Sequence, residues 1–144
     1  MKKVFIDGSA GTTGLRIFER LSARQDLELI TLTGDARKDP EARKQALNSC
    51  DIAFLCLPDA AAMESVSLIE NDHVTVLDTS TAHRTNPDWA YGFPEISAAA
   101  KENTSKAKQQ TNGALFGFLR GKGLLVGGKI RHRRDHKKKR RDQR

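Results

Sequence analysis

The sequence predicts an α/β fold in which a doubly wound parallel sheet carries helices on both faces. Two observations lead to this fold class: short apolar segments alternate with helical segments over residues 1–100, and a glycine-rich turn follows the first apolar segment. Strands and helices that alternate at this pitch form βαβ units, which build a parallel sheet. The alternation stops near residue 100, so we expect the sheet to be incomplete.

The first two strands flank the first predicted helix. Residues 3–7 form a short apolar run that ends at a glycine, which is typical of a buried parallel strand. Residues 12 to about 23 carry apolar side chains at helical spacing, and residues 27–32 predict the second strand. The segment Asp39-Pro40-Glu41 then predicts a helix start, because it combines a capping carboxylate with proline in the first turn.

The third and fourth strands follow at the same pitch. Residues 52–57 are entirely apolar and end at Pro58, and residues 74–77 predict a fourth strand that ends at Asp78. We expect Asp59 to cap the helix between them. The residues predicted to share the apolar face of that helix are Met63, Val66 and Ile69.

Charge divides the chain into two parts. Residues 1–100 hold 10 Lys/Arg and 15 Asp/Glu, a net of −5, whereas residues 101–144 hold 15 and 3, a net of +12. The overall charge of +7 therefore describes the C-terminal part and not the folded domain. We predict an irregular glycine-rich segment at 101–130 and a disordered basic tail at 131–144, which has no apolar residue.

Several classes of protein are excluded by composition. The two cysteines, Cys50 and Cys56, offer neither a disulfide framework nor metal-ligand spacing. No apolar run approaches the ~20 residues that span a bilayer, and the apolar stretch near the N-terminus is too short for a signal peptide. The sequence therefore predicts a soluble, cytoplasmic protein without a metal site.

The glycine-rich turn predicts a phosphate-binding site. Glycines at 8, 11 and 14 follow a strand and open a helix, where they allow a sharp exit, close approach of a pyrophosphate and close helix packing. A helix N-terminus with free N–H groups favours an anion there. The predicted binding residues are Gly8, Ser9, Ala10, Gly11, Thr12, Thr13 and Gly14. In this context the turn indicates a Rossmann-type dinucleotide-binding domain over residues 1–100.

The end of the second strand predicts NADP over NAD. NAD sites usually place an acidic side chain there to bind the ribose 2′-hydroxyl, but this strand runs into Thr31-Leu32-Thr33-Gly34. Arg37 and Lys38 follow and could pair with a 2′-phosphate. Two considerations weigh against NADP. Asp35 is an acid close by, and Arg37 and Lys38 could both be ordinary solvated charges.

Longer strings resemble one enzyme family. Residues 5–17 (FIDGSAGTTGLRI), 53–61 (AFLCLPDAA), 77–84 (LDTSTAHR) and 89–95 (WAYGFPE) resemble N-acetyl-gamma-glutamyl-phosphate reductase of the shorter bacterial subclass. The likeness covers about two thirds of the chain. It implies an NADPH-dependent oxidoreductase of arginine biosynthesis that reduces N-acetyl-glutamyl phosphate to the semialdehyde, with a cysteine thiolate as nucleophile and a histidine as acid/base.

The resemblance also assigns roles to residues of the predicted domain. Residues 8–14 would hold the pyrophosphate, Leu57 and Pro58 would line the adenosine side, and Ser80 would lie by the nicotinamide. His83 is expected to shape a loop or the substrate entrance. Arg84 could contact an anionic group or be a solvated surface charge.

The chain departs from the family after the last matching string. The family's catalytic cysteine lies in an Asn-Pro-Gly-Cys string, whereas this chain has Gln110-Thr111-Asn112-Gly113-Ala114-Leu115 there. The substrate and dimerisation domain is not recognisable either, so we expect catalysis and the family's homo-oligomerisation to be lost. Cys50 and Cys56 are expected to be buried core residues. One hypothesis is a shift of reading frame between Ala100 and Asn112.

An alternative function comes from the basic tail. Nine of the residues 131–144 are Lys or Arg, which would suit nonspecific binding of nucleic acid or of an anionic surface. The acidic domain upstream and the absence of interleaved aromatic residues weigh against this alternative.

Overall fold

The computed structural model describes residues 1–91, 97–107 and 109–111. The glycine-rich segment beyond residue 111 and the basic tail lie outside the described residues. In chain order the elements are β1 (Lys2–Asp7), α1 (Thr12–Ser22), β2 (Leu27–Ile30), a 3₁₀ helix (Gly34–Arg37), α2 (Pro40–Ser49), β3 (Ile52–Leu55), α3 (Asp59–Ser67), β4 (Thr75–Asp78), β5 (Ala90–Tyr91), α4 (Ala98–Lys106) and β6 (Gln109–Thr111).

The six described strands form one sheet in the order β2-β1-β3-β4-β6-β5, and every pairing is parallel. Val4 of β1 lies opposite Leu29 of β2 on one side and Ile52 of β3 on the other. The chain thus leaves β1 in one direction to reach β2, and then crosses back to β3. This reversal makes the sheet doubly wound, as predicted.

The alternation of side chains along β1 explains the two layers of helices. Val4 and Ile6 point to the face that α1 covers with Ile17 and Leu21. Phe5 points to the opposite face, where the apolar side chains of α2 and part of α3 pack. A strand that is buried on both faces reads as a continuous apolar run, which is why the sequence identified β1 and β3.

The C-terminal part of the sheet differs from the prediction. Within the segment predicted to be irregular, α4 reaches Lys106 and β6 follows at Gln109–Thr111. β6 pairs with β4, so the edge that we expected to be incomplete is covered by two further strands. Neither element leaves a periodic signal, because α4 is polar and alanine-rich and β6 has only three residues.

Three other expectations about local structure need correction. The second and third strands end at Ile30 and Leu55, two residues before their predicted ends. Asp59 is the first residue of α3 and not its cap, since Pro58 occupies the N-cap position. The predicted apolar face is right in part: Val66 and Ile69 pack against the core, but Met63 is exposed and Ala62 and Ser65 are the buried residues of α3.

Candidate functional site

The candidate site lies at the carboxyl edge of the sheet. All four long strands are parallel, so the segments that follow β1, β2, β3 and β4 meet at one edge. The glycine turn, residues 8–14, follows β1 at the point where the strand order reverses between β1 and β3. In open α/β sheets, ligands bind in the crevice that this reversal creates.

Gly8 and Gly14 leave no room for a side chain. Gly8 has a φ of +85°, and a Cβ there would lie 2.3 Å from the backbone carbonyl oxygen of Cys56. A Cβ on Gly14 would lie 2.2 Å from the carbonyl oxygen of Gly8. Gly14 therefore lets α1 approach the backbone of the turn itself, rather than the sheet as the sequence suggested. Gly8 thus lets the turn lie against the backbone that follows β3.

The N-terminus of α1 faces this edge. Gly11 is the N-cap, and no side chain caps the helix in the described part of the chain. Its carbonyl accepts a hydrogen bond from the N–H of Leu15 at 2.8 Å, which starts the helical ladder. Thr12 and Thr13 are exposed in the first turn. First-turn N–H groups have no acceptor within their own helix, so they are available to an anion.

A cleft of about 550 Å³ opens beside the turn. This volume lies in the range of small-molecule sites. It brings together six of the residues predicted from the sequence: Gly8, Ser9, Ala10, Arg37, Lys38 and Leu57. Its lining also includes residues that no sequence pattern indicated, among them Asp7, Leu32, Arg43 and Ala61.

The two predicted 2′-phosphate ligands lie on the wall of this cleft. Arg37 ends the 3₁₀ helix after β2, Lys38 follows it, and both are exposed. The Arg37 Nε donates a hydrogen bond to the carbonyl oxygen of Gly34 at 3.4 Å. Asp35 does not line the cleft; its backbone carbonyl accepts the N–H groups of Lys38 and Asp39.

A buried charged network forms the floor of the cleft. Both Nε and Nη2 of Arg43 donate to Asp7 Oδ2, at 3.2 and 3.1 Å. Ser65 Oγ accepts from Arg43 Nη2 at 2.6 Å and donates to Asp7 Oδ2 at 2.8 Å. Burial disfavours the charged guanidinium, but the hydrogen bonds and charges of Glu64 and Asp7 outweigh it and raise the pKa of Arg43. The residues of this network come from three separate elements, β1, α2 and α3, so no local pattern in the sequence could have revealed their pairing.

Ser80 lies in a second buried network after β4. Its hydroxyl donates to Asp78 Oδ2 at 2.7 Å, and its backbone N–H donates to Asp78 Oδ1 at 2.8 Å. The same Oδ2 is 2.7 Å from His83 Nδ1, and the imidazole stacks on Trp89 with the ring centroids 4.0 Å apart. Ser80 does not line the cleft described above. The network orders the loop after β4, which agrees with the structural role expected of His83.

A contact between the start of α3 and the loop after β4 connects the β3 and β4 ends of the site. The Thr81 backbone N–H donates to Asp59 Oδ1 at 2.9 Å, and the Thr81 hydroxyl donates to the other carboxylate oxygen. These hydrogen bonds lower the pKa of Asp59. The carboxylate that was expected to cap α3 therefore fixes the loop after β4 beside Pro58.

Neither cysteine has the surroundings of a nucleophile. Cys50 is buried at the end of α2, and desolvation raises its pKa to about 11. Cys56 follows β3 directly, and burial raises its pKa to about 12 although the Thr79 hydroxyl opposes the shift. At neutral pH both groups are thiols, and only a thiolate attacks a carbonyl or phosphoryl-activated carbon.

The fold and the position of the glycine turn define a class of protein, the dinucleotide-binding α/β domains. The family is more specific. The chain belongs to the semialdehyde dehydrogenase family, whose NAD-binding domain it matches over residues 3–104. The predicted cofactor is thereby confirmed as a nicotinamide dinucleotide.

Relatives confirm the resemblance inferred from the sequence. The chain is 57% identical over 113 residues to N-acetyl-gamma-glutamyl-phosphate reductase from Burkholderia cenocepacia, covering 78% of this chain and 36% of that protein. It is 49% identical over 119 residues to the enzyme of the same name from Trichormus variabilis, covering 81% and 37%. The chain thus spans little more than a third of the length of these relatives.

Solved structures of lower identity share the fold. Aspartate semialdehyde dehydrogenase from Francisella tularensis matches with a TM-score of 0.57 at 19% identity, over 78% of this chain and 36% of that one. The Candida albicans enzyme, solved with NADP, matches with a TM-score of 0.52 at 16% identity, over 78% and 42%. In the part of the chain that the structure describes, no helix is long and apolar enough to cross a membrane.

Proposed function

We propose that this chain binds NADP(H) in the cleft beside the glycine turn, as the cofactor-binding part of an N-acetyl-gamma-glutamyl-phosphate reductase of cytoplasmic arginine biosynthesis. The observation that carries the proposal is that residues 8–10 of the turn and two exposed cations, Arg37 and Lys38, line one cleft. The N-terminus of α1, which no side chain caps, follows these turn residues directly in the chain. The resemblance to the relatives supports the choice of reaction.

Each part of the cleft suits one part of the cofactor. Residues 8–14 would receive the pyrophosphate on the N–H groups that open α1. Arg37 and Lys38 would pair with the 2′-phosphate, while Leu57 and Pro58 would pack against the adenosine. Ser80 would lie near the nicotinamide, with its hydroxyl and its backbone N–H both donating to Asp78. The bound cofactor would supply a hydride.

We further propose that the chain binds the cofactor without catalysing the reduction. The described residues offer two cysteines, and burial raises the pKa of each to about 11 or 12. His83 is held by Asp78 and Trp89 within the fold and is 8% exposed. Among the described residues no thiol is therefore placed to attack an acyl phosphate.

Cofactor choice is tested by titrating the purified chain with NADPH and with NADH. We expect the Arg37→Ala/Lys38→Ala variant to bind NADPH at least about tenfold more weakly, since charge-assisted hydrogen bonds contribute roughly 1.5–3 kcal/mol. Binding of NADH should change little. The matched control is Arg20→Ala, which removes an exposed cation at the far end of α1. Equal affinity of the unmodified chain for the two cofactors would contradict the proposal.

Catalysis is tested with N-acetyl-glutamyl phosphate and NADPH. After the acyl phosphate is added, absorbance at the NADPH band should stay constant, although the chain binds the cofactor. Oxidation of NADPH that depends on the acyl phosphate would show that the chain supplies a nucleophile, and would overturn this part of the proposal.

The basic segment 131–144 supports a second candidate function. Nine Lys/Arg in fourteen residues would bind a polyanion electrostatically, with an affinity that falls steeply with salt. Titration of a DNA duplex at two salt concentrations tests it, with a chain shortened by residues 131–144 as the control. If the two chains bind DNA equally, the basic arm has no such role.

A further inference from the structure

Asp7 poses an electrostatic difficulty for the proposed cofactor. It directly precedes the glycine turn, lines the cleft, and has a side chain that is only 6% exposed. The pyrophosphate and the 2′-phosphate of NADPH are both anionic. An uncompensated carboxylate at this position would repel the ligand, because charges in a partly buried cleft are weakly screened.

Arg43 removes this difficulty. Its guanidinium makes two hydrogen bonds to one carboxylate oxygen of Asp7, and its side chain is only 8% exposed. The lining of the cleft contains three cations, Arg37, Lys38 and Arg43, and one acid, Asp7. With Arg43 committed to Asp7, the charges of Arg37 and Lys38 remain for the phosphates.

Glu64 and Ser65 hold the guanidinium in place from the side of α3. Glu64 accepts from Arg43 Nη1 at 3.0 Å, but half of its side chain is exposed, so water screens its charge. Ser65 is fully buried and joins Arg43 to Asp7 without adding a charge. Strand β1 and helices α2 and α3 are thereby fixed together directly beneath the turn.

We propose that Arg43 is a positioning residue of the dinucleotide site, which neutralises Asp7 and so makes the end of β1 acceptable to an anionic cofactor. The inference rests on the proposed function, because it presumes that a dinucleotide occupies the cleft. It differs from a purely structural role in one respect: the effect of Arg43 on binding depends on the charge of Asp7.

The test measures NADPH affinity in the full chain and in four variants, with circular dichroism to establish that each is folded. Arg43→Met leaves Asp7 unpaired and should weaken NADPH binding on the order of tenfold. Asp7→Asn/Arg43→Met removes both charges and should restore the affinity to within about threefold. Ser65→Ala breaks the same hydrogen-bond network without changing the charge, so it should lower stability and leave the affinity within about twofold.

Asp7→Asn alone keeps the test decisive if Arg43→Met does not fold. It leaves Arg43 charged, so NADPH should bind as tightly as in the unmodified chain or more tightly. A purely structural network predicts the opposite, a weaker site. Unchanged affinity in folded Arg43→Met, no recovery in the double variant, or weaker binding in Asp7→Asn would each overturn the inference while the proposed function stands. If the unmodified chain binds no NADPH, the proposed function itself is wrong, and the inference with it.

Discussion

Gly8 and Gly34 both have a positive φ, +85° and +57°, but their surroundings differ. A Cβ on Gly8 would lie 2.3 Å from the Cys56 carbonyl oxygen, whereas a Cβ on Gly34 would have nothing within 4 Å. Gly8→Ala should lower the free energy of unfolding by about 3 kcal/mol or more, since steric overlap adds to backbone strain. Gly34→Ala should lower it by about 1 kcal/mol, the strain alone.

Urea denaturation of the two variants measures this difference. Both substitutions add the same methyl group to a residue of positive φ, so the excess in Gly8→Ala reports the contact between the turn and the end of β3. Equal losses in the two variants would mean that the turn can move away from Cys56.

The raised pKa values of the two cysteines predict how their reactivity depends on pH. With pKa values of about 11 for Cys50 and about 12 for Cys56, only about one thiol in ten thousand or fewer is ionised at pH 7. Alkylation of the folded chain by iodoacetamide should be very slow at neutral pH and should accelerate about tenfold per pH unit up to pH 10. The same chain in urea should react as ordinary cysteine does. Fast alkylation of the folded chain at pH 7 would restore the possibility of a nucleophile.

At the scale of the elements, helix α2 begins where the side chain of Asp39 caps it. The Asp39 carboxylate accepts hydrogen bonds from the backbone N–H groups of Glu41 and Ala42, and Pro40 occupies the first turn. Asp39→Ala should lower the free energy of unfolding by about 1 kcal/mol. Asp35→Ala removes an exposed charge four residues earlier and should change it by less than about 0.5 kcal/mol. A similar small effect of both substitutions would show that packing alone defines the start of α2.

Elements were predictable where one physical signal dominates. The cap at Asp39, the apolar run of β1 and the glycine turn are local in sequence, and the structure has them where they were expected. Strand β3 begins with its apolar run but ends two residues before that run does. Asp59 was misassigned because a carboxylate that suits a helix cap also suits Thr81, which lies 22 residues away. The pairings of Arg43 with Asp7 and of His83 with Asp78 depend on how the elements pack, so no spacing in the sequence indicates them.

At the scale of the whole molecule, cofactor binding and folding are coupled. A ligand that binds only the native state raises its stability by about 2.7 kcal/mol at a hundred times its Kd. For a chain of 144 residues this corresponds to a rise in Tm of roughly 10 °C. We expect calorimetry at fixed protein concentration to show a clear rise in Tm with NADPH and a smaller rise with the same concentration of NADH.

The variant Arg37→Ala/Lys38→Ala separates binding from folding in this measurement. Both side chains are exposed, so the Tm without ligand should stay within a few degrees of that of the unmodified chain. The NADPH-induced shift should shrink towards the shift produced by NADH, because the two cofactors differ only in the 2′-phosphate. A full NADPH shift in the variant would mean that other residues select the phosphate. A large loss of Tm without ligand would mean that the two cations stabilise the fold itself.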